Sequence, residues 1–128
     1  MALRNSAEKW GAVARFFHWT IALAILAVFI VGVVMEDVEG PQKYQVYLMH
    51  KSAGLLVLLL VLCRIVWRLA NPAPKPAPGD PHWQVVMADL VHWGLYALML
   101  AVPLSGWLTN SYAGYPIKWF GFENLVVP

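Results

Sequence analysis

Charge is what this sequence has least of. Asp, Glu, Lys and Arg make up 12% of its 128 residues, against about 25% in an average soluble domain. A chain this small has a large surface for its volume, and so few charges cannot cover it in water. The shortage excludes a disordered chain, a basic nucleic-acid-binding arm and an ordinary soluble enzyme. Cysteine is nearly absent as well. Cys63 stands alone, so there is no disulfide framework within the chain and no thiolate metal cluster. There is no glycine-rich phosphate loop and no internal repeat. A formal net charge of +2 is too small to imply nucleic acid or any other polyanionic partner. What is abundant is apolar surface: the hydrophobic set reaches 60% in a chain of single-domain length. The class is a membrane protein, and its first partner is the lipid bilayer.

Three apolar stretches carry that surface, at about 16–35, 47–69 and 85–108. Each is near the ~20 residues that cross about 30 Å of hydrocarbon at 1.5 Å per residue. They are apolar most of the way round, unlike the single stripe of a soluble helix. The first follows a basic lead (Arg4, Lys9, Arg15), as a secretory leader would. Its run is longer than a leader's apolar region, and Val33-Val34-Met35-Glu36 lacks the small residues of a cleavage site. It reads as a retained helix.

Loop charge predicts the orientation. Arg4, Lys9, Arg15, Arg64, Arg68 and Lys75, six of the nine Lys and Arg, fall on one side of the spans. The loop between the first two spans is mostly acidic (Glu36, Asp37, Glu39), and the tail holds only Lys118 and Glu123. The positive-inside rule makes the first side cytoplasmic, with the N-terminus inside and the tail at 109–128 outside. The linker at 71–81 has five prolines in eleven residues and is expected to run as an extended cytoplasmic strap. Asp80 or a neighbour is expected to cap the third helix, and Pro103 to kink it or end its regular part. Trp and Tyr gather near the span ends, the usual place for amphipathic rings.

Ionisable groups inside lipid-crossing helices are costly and are functional candidates by default. Here they are His18, His50, His92, Lys51, Arg64, Arg68 and Asp89. His18 lies just inside the inner end of the first helix, and His50 close to the outer end of the second. Most of the membrane separates them, so they cannot share one metal ion. Zinc needs three or four clustered ligands, and none gather around either residue. A haem supplies four nitrogens itself and asks one imidazole of each helix. Isolated histidines at two depths therefore favour two haems, one per leaflet.

Helical geometry supports this. Gly54 follows His50 by four residues and removes a side chain where a porphyrin would lie. Arg64 and Arg68 follow His50 by fourteen and eighteen, on the same face and about 21 and 27 Å further in. There the two guanidinium groups could pair with propionate carboxylates. Ala22 and Gly32 follow His18 by four and fourteen, giving that face room at both cofactor levels. Plainer readings stand beside these. A single His near a span end is often interfacial, and Arg64 and Arg68 can be snorkelling anchors. His92, with Tyr96 one turn on, is more often a packing residue than a ligand. His82 reads as a solvated loop residue, and Cys63 as a small buried apolar one.

In chain order the motifs are Arg15-Phe16-Phe17-His18-Trp19, His50-Lys51-Ser52-Ala53-Gly54, Arg64 and Arg68, and His92 to Tyr96. Pro103-Leu104-Ser105-Gly106-Trp107, Gly114-Tyr115-Pro116 and Trp119-Phe120-Gly121 follow. This ordered set resembles the bacterial cytochrome b-561 family, whose relatives include the cytochrome b subunits of membrane hydrogenases and formate dehydrogenases. The resemblance covers nearly the whole chain. It implies an all-α membrane protein, with three transmembrane helices here of an expected four-helix up-and-down bundle, in a bacterial inner membrane. It implies two b-type haems, with His18 and His50 each supplying one axial ligand and Arg15, Gly54, Arg64 and Arg68 around the cofactors. It also implies exchange of electrons with the quinone pool, ubiquinone being one such quinone, and in some members oxidation of superoxide at the outer face. Lys43, Lys51 and Lys118 could draw in that anion, although Glu36, Asp37, Glu39 and Glu123 share their surface.

In the family the fourth helix brings the second axial ligand of both haems, and this chain stops at Pro128, where that helix would begin. The expectation is a fragment or shortened reading frame, or a fourth helix or redox partner supplied by another chain. Two further readings stay open: a membrane-anchor subunit of a hydrogenase or dehydrogenase, and a fragment that does not hold haem.

Overall fold

The computed structural model of the chain describes residues 2–6, 9–122 and 124–128, so Glu123 lies outside the described residues. Three long helices dominate: α1 (Ala12–Val34), α2 (Gln42–Ala70) and α3 (His82–Tyr112). All three are long and apolar enough to cross a membrane. Each runs past the apolar stretch that signals it. The flanking polar residues, such as Gln42 and Lys43 or Thr109 and Asn110, carry no helix-breaking side chain, so the backbone ladder continues into the headgroup zone.

The helix α2 is the middle element, and α1 and α3 both pack on it. Ile21, Val57 and Val61 form the buried centre, with Phe17, Val28 and Met99 packed against it. Beyond these and a few others, such as Leu48, Leu58 and Tyr96, most large side chains face outward. Phe16, Leu23 and Phe29 on α1, Leu59, Val66 and Leu69 on α2, and Leu90, Leu98 and Val102 on α3 are all more than half exposed. Water would penalise such a surface at about 25 cal/mol per Å²; lipid does not. The fold is therefore an all-α membrane protein.

One expectation about helix ends is corrected and another narrowed. Asp80 does not cap α3: the residue before the helix is Pro81, and no side chain accepts a capping bond there. Asp80 is instead held in a turn, its N–H donating to the Ala77 carbonyl at 3.3 Å, with Gly79 at a φ of 89°. Of the two outcomes expected at Pro103, a kink or an end to the regular helix, the end is excluded, because α3 continues to Tyr112 past this proline. Just beyond it the Ser105 hydroxyl donates to the Val102 carbonyl at 2.7 Å and Thr109 to that of Ser105 at 2.8 Å.

Both ends of the bundle are tied. At the α1 end the chain folds back, so that the N–H groups of Ala12 and Val13 donate to the carbonyls of Ala2 and Leu3 at 2.8 and 3.2 Å. These donors would otherwise be orphans of the first helical turn. Gly11 permits the fold-back, because a Cβ there would lie 2.4 Å from the Leu3 oxygen and the Arg4 carbonyl carbon. Asn5 joins this hook to the proline-rich linker, donating to the Pro72 carbonyl at 3.2 Å while accepting the Gly11 N–H at 2.7 Å. At the other end, strand β1 (Ile117–Lys118) pairs antiparallel with β2 (Val126–Val127) across a short 3-10 turn, Trp119–Gly121. This hairpin docks on α2. The Trp119 indole N–H donates to the Ser52 carbonyl, and the Phe120 N–H donates to Ser52 Oγ, both at 2.9 Å.

Candidate functional site

The sequence-derived candidates gather along one side of α2. A cleft of about 960 Å³ runs between α1 and α3 and is bordered by His18, His50, Gly54, Arg64 and His92. That volume lies at the upper end of the range for small-molecule and cofactor sites. A second cavity of about 300 Å³ opens at the His18 end, lined by Arg15, Arg64, Arg68, Trp67 and again His18 and His92.

At its own end of the cleft the His50 ring is fixed. Its Nδ1 lies 3.1 Å from the Val28 carbonyl oxygen of α1. Only a protonated Nδ1 can donate there, so the neutral ring carries its lone pair on Nε2. An imidazole held this way is ready to coordinate a metal through Nε2. Gly32, on α1, borders the same cleft and also faces the His50 ring. A Cβ on Gly32 would lie 2.9 Å from His50 Cε1, so the missing side chain makes room for the imidazole. Gly54 differs: a Cβ there would meet nothing within 4 Å, and the residue borders the cleft. The protein itself does not need that space.

At the His18 level the arrangement is electropositive and aromatic. Arg64 Nη2 donates to His18 Nδ1 at 3.2 Å, which leaves the proton of the neutral His18 ring on Nε2. Metal coordination through that nitrogen requires Arg64 to let go of the ring. The Arg64 guanidinium also lies 5.3 Å from the Tyr96 ring centre. Arg68 is surrounded by Trp10, Trp93 and Tyr96 at 5.7, 5.3 and 5.7 Å, distances at which cation–π attraction operates. Trp67, which lines the same cavity, keeps a buried Nε1–H without an acceptor. Three guanidinium groups and an orphan donor at one spot fit a ligand that brings carboxylates, as haem propionates do.

Ten residues of α1 separate His18 from Val28, the partner of His50, and fourteen residues of α2 separate His50 from Arg64, the partner of His18. At 1.5 Å per residue the two imidazole levels are about 15 to 21 Å apart. No three His, Cys, Asp or Glu side chains come together among the described residues. The other candidates are dispersed. His82 is exposed at the first turn of α3, and Cys63 is exposed, not buried as its residue type suggests. Sequence spacing misses the Val28 carbonyl, because a backbone oxygen leaves no residue signature. It also misses Asn5 and Trp10, which line the second cavity only because the N-terminal segment folds back.

A lipid-embedded three-helix frame with His50 at one level and His18 beside His92 at the other, and no cluster of three ligands among the described residues, fits a membrane cytochrome better than a zinc protein or a soluble redox enzyme. Comparison with known proteins identifies the kind. Residues 9–127 match the model of the prokaryotic cytochrome b561 family, and the chain belongs to that family of haem b membrane cytochromes in electron transport. It is 30% identical over 124 residues to cytochrome b561 homolog 2 of Escherichia coli strain K12, covering 95% of this chain and 66% of the relative. Cytochrome b561 homolog 1 of the same organism is 32% identical, over 84% of this chain and 62% of the relative. A probable superoxide oxidase, CybB, of Yersinia pestis is 27% identical, over 77% and 56%. The chain thus spans about 56–66% of the length of the curated relatives it matches.

Proposed function

We propose that this protein carries electrons across a bacterial inner membrane, from a donor on the outer side to the quinone pool, through two b haems. His50 supplies one axial ligand to the outer haem and His18 one to the inner haem. Arg15, Arg64 and Arg68 receive the propionates of the inner haem, and Gly54 leaves room for the outer ring. The remaining axial positions are filled from outside these 128 residues, by a further segment of the protein or by another chain. The N-terminus lies in the cytoplasm, as the six inner Lys and Arg favour. Haem supplies reversible one-electron chemistry at iron.

The observation that carries the reading is the His50 ring, whose Nδ1–H is committed to Val28 so that Nε2 faces coordination with its lone pair free. The orphan Trp67 donor among the inner arginines supports the second site. Superoxide is the donor we favour, following the name of the Yersinia pestis relative. Two superoxide ions lose one electron each to give two O2, and one quinone takes both electrons with two protons to become the quinol.

The test is spectroscopic. Protein produced with haem supply, together with the relatives' remaining segment, is expected to show the reduced-minus-oxidised α-band of b haem at two haems per chain. H18A and H50A are each expected to lose one haem. A colourless protein, or full haem content in both variants, refutes the reading.

A further inference from the structure

We infer that Gly32 is a positioning residue for the outer axial ligand, setting the hydrogen bond that tunes the His50 imidazole. The inference rests on reading His50 as a haem ligand. Val28 and Gly32 are one helical turn apart on α1 and present one small patch to α2. The patch offers a carbonyl oxygen, 3.1 Å from His50 Nδ1, and beside it a position without a side chain. The ring lies across that gap, with Cε1, Nδ1 and Nε2 at 2.9, 3.5 and 3.7 Å from where a Gly32 Cβ would stand. The contact is tightest at Cε1, the carbon between the two nitrogens. A methyl group there cannot be accommodated by the imidazole where it stands. The ring must turn or withdraw, and either motion lengthens Nδ1–H···O=C. Gly32 lies in the last turn of α1 with ordinary right-handed backbone, so no left-handed φ demands glycine there. The close approach of the His50 ring is what the missing Cβ permits.

The consequence for a bound haem follows from the second nitrogen. A hydrogen bond from Nδ1 to a carbonyl raises the basicity of Nε2 and locks the ring plane, and both set the potential of the iron it binds. Gly32 touches neither the iron nor the porphyrin in this account; it acts through His50.

The experiment compares G32A with G94A, because Gly94 is an exposed helical glycine whose Cβ would meet nothing within 4 Å. In haem-free protein labelled with 15N-histidine, the wild type and G94A are expected to show His50 protonated at Nδ1, and G32A to lose that signature. In the loaded protein, G32A is expected to shift the midpoint potential and α-band of one haem and leave the other in place. Haem uptake by the wild type with identical ring-nitrogen signals and potentials in G32A overturns this inference alone. A wild type that takes up no haem overturns the ligand reading, and the tuning role with it. The wild-type tautomer also stands independently of whether G32A folds: His50 protonated at Nε2 in the haem-free wild type refutes the inference outright.

Discussion

Ser52 holds the C-terminal hairpin to the bundle, and replacing it with alanine isolates one hydrogen bond. The residue is fully buried on α2, its Oγ accepting the Phe120 N–H and its carbonyl the Trp119 indole N–H, each at 2.9 Å. S52A keeps the second bond and deletes the first. A part-buried backbone N–H left without an acceptor costs about 1–3 kcal/mol. Phe120 also sits at a φ of 50°, a left-handed conformation that costs a non-glycine residue about 1–2 kcal/mol and that docking offsets. Local opening of the hairpin therefore becomes easier by about 1–3 kcal/mol, a factor of roughly 5 to 150. Hydrogen exchange followed by mass spectrometry in lipid nanodiscs reads this directly, since exchange of tail amides reports the opening free energy. Peptides covering 115–127 are expected to exchange faster by that factor, while those in α1 and α3 keep their rates. S105A, which removes a hydroxyl bonded within α3, is expected to leave the tail unchanged. A change in tail exchange below about twofold refutes the hydrogen-bond account. An equal rise throughout the helices refutes it too, because the loss would then be global.

Other perturbations probe the remaining contacts. R64A removes a cation from beside His18 and is expected to lower the midpoint potential of the inner haem alone, because a nearby positive charge favours the reduced iron; redox titration checks the sign. G11A is expected to cost about 1–3 kcal/mol by overpacking and to release the N-terminal hook. Faster proteolysis at residues 2–10 would report this, since the added Cβ meets backbone 2.4 Å away. H82A is expected to leave haem content unchanged, because His82 is exposed at the start of α3; pyridine-haemochrome assay decides.

What the sequence determined by itself is what depends on composition and local periodicity. Hydropathy is a property of contiguous residues, so the three lipid-crossing helices were legible without any contact map. Counting along α2 put Arg64 about 21 Å inward of His50, and there its guanidinium meets the His18 ring. Such arithmetic works because both ends of the count lie on one rigid helix. It could not say what lies across from either residue. That depends on the rotation and offset of one helix against another, which no single segment encodes. Only the tertiary structure set the His50 ring against the Val28 carbonyl, laid it across the space left by Gly32, and brought the hairpin back onto Ser52. It also brought the Arg64 donor to His18 Nδ1, a contact across two helices that spacing along one of them does not reveal. Lipid explains why so little else was decided by packing. With most apolar side chains already content in hydrocarbon, the specific interior contacts are few, and they concentrate where small residues and polar groups let two helices approach.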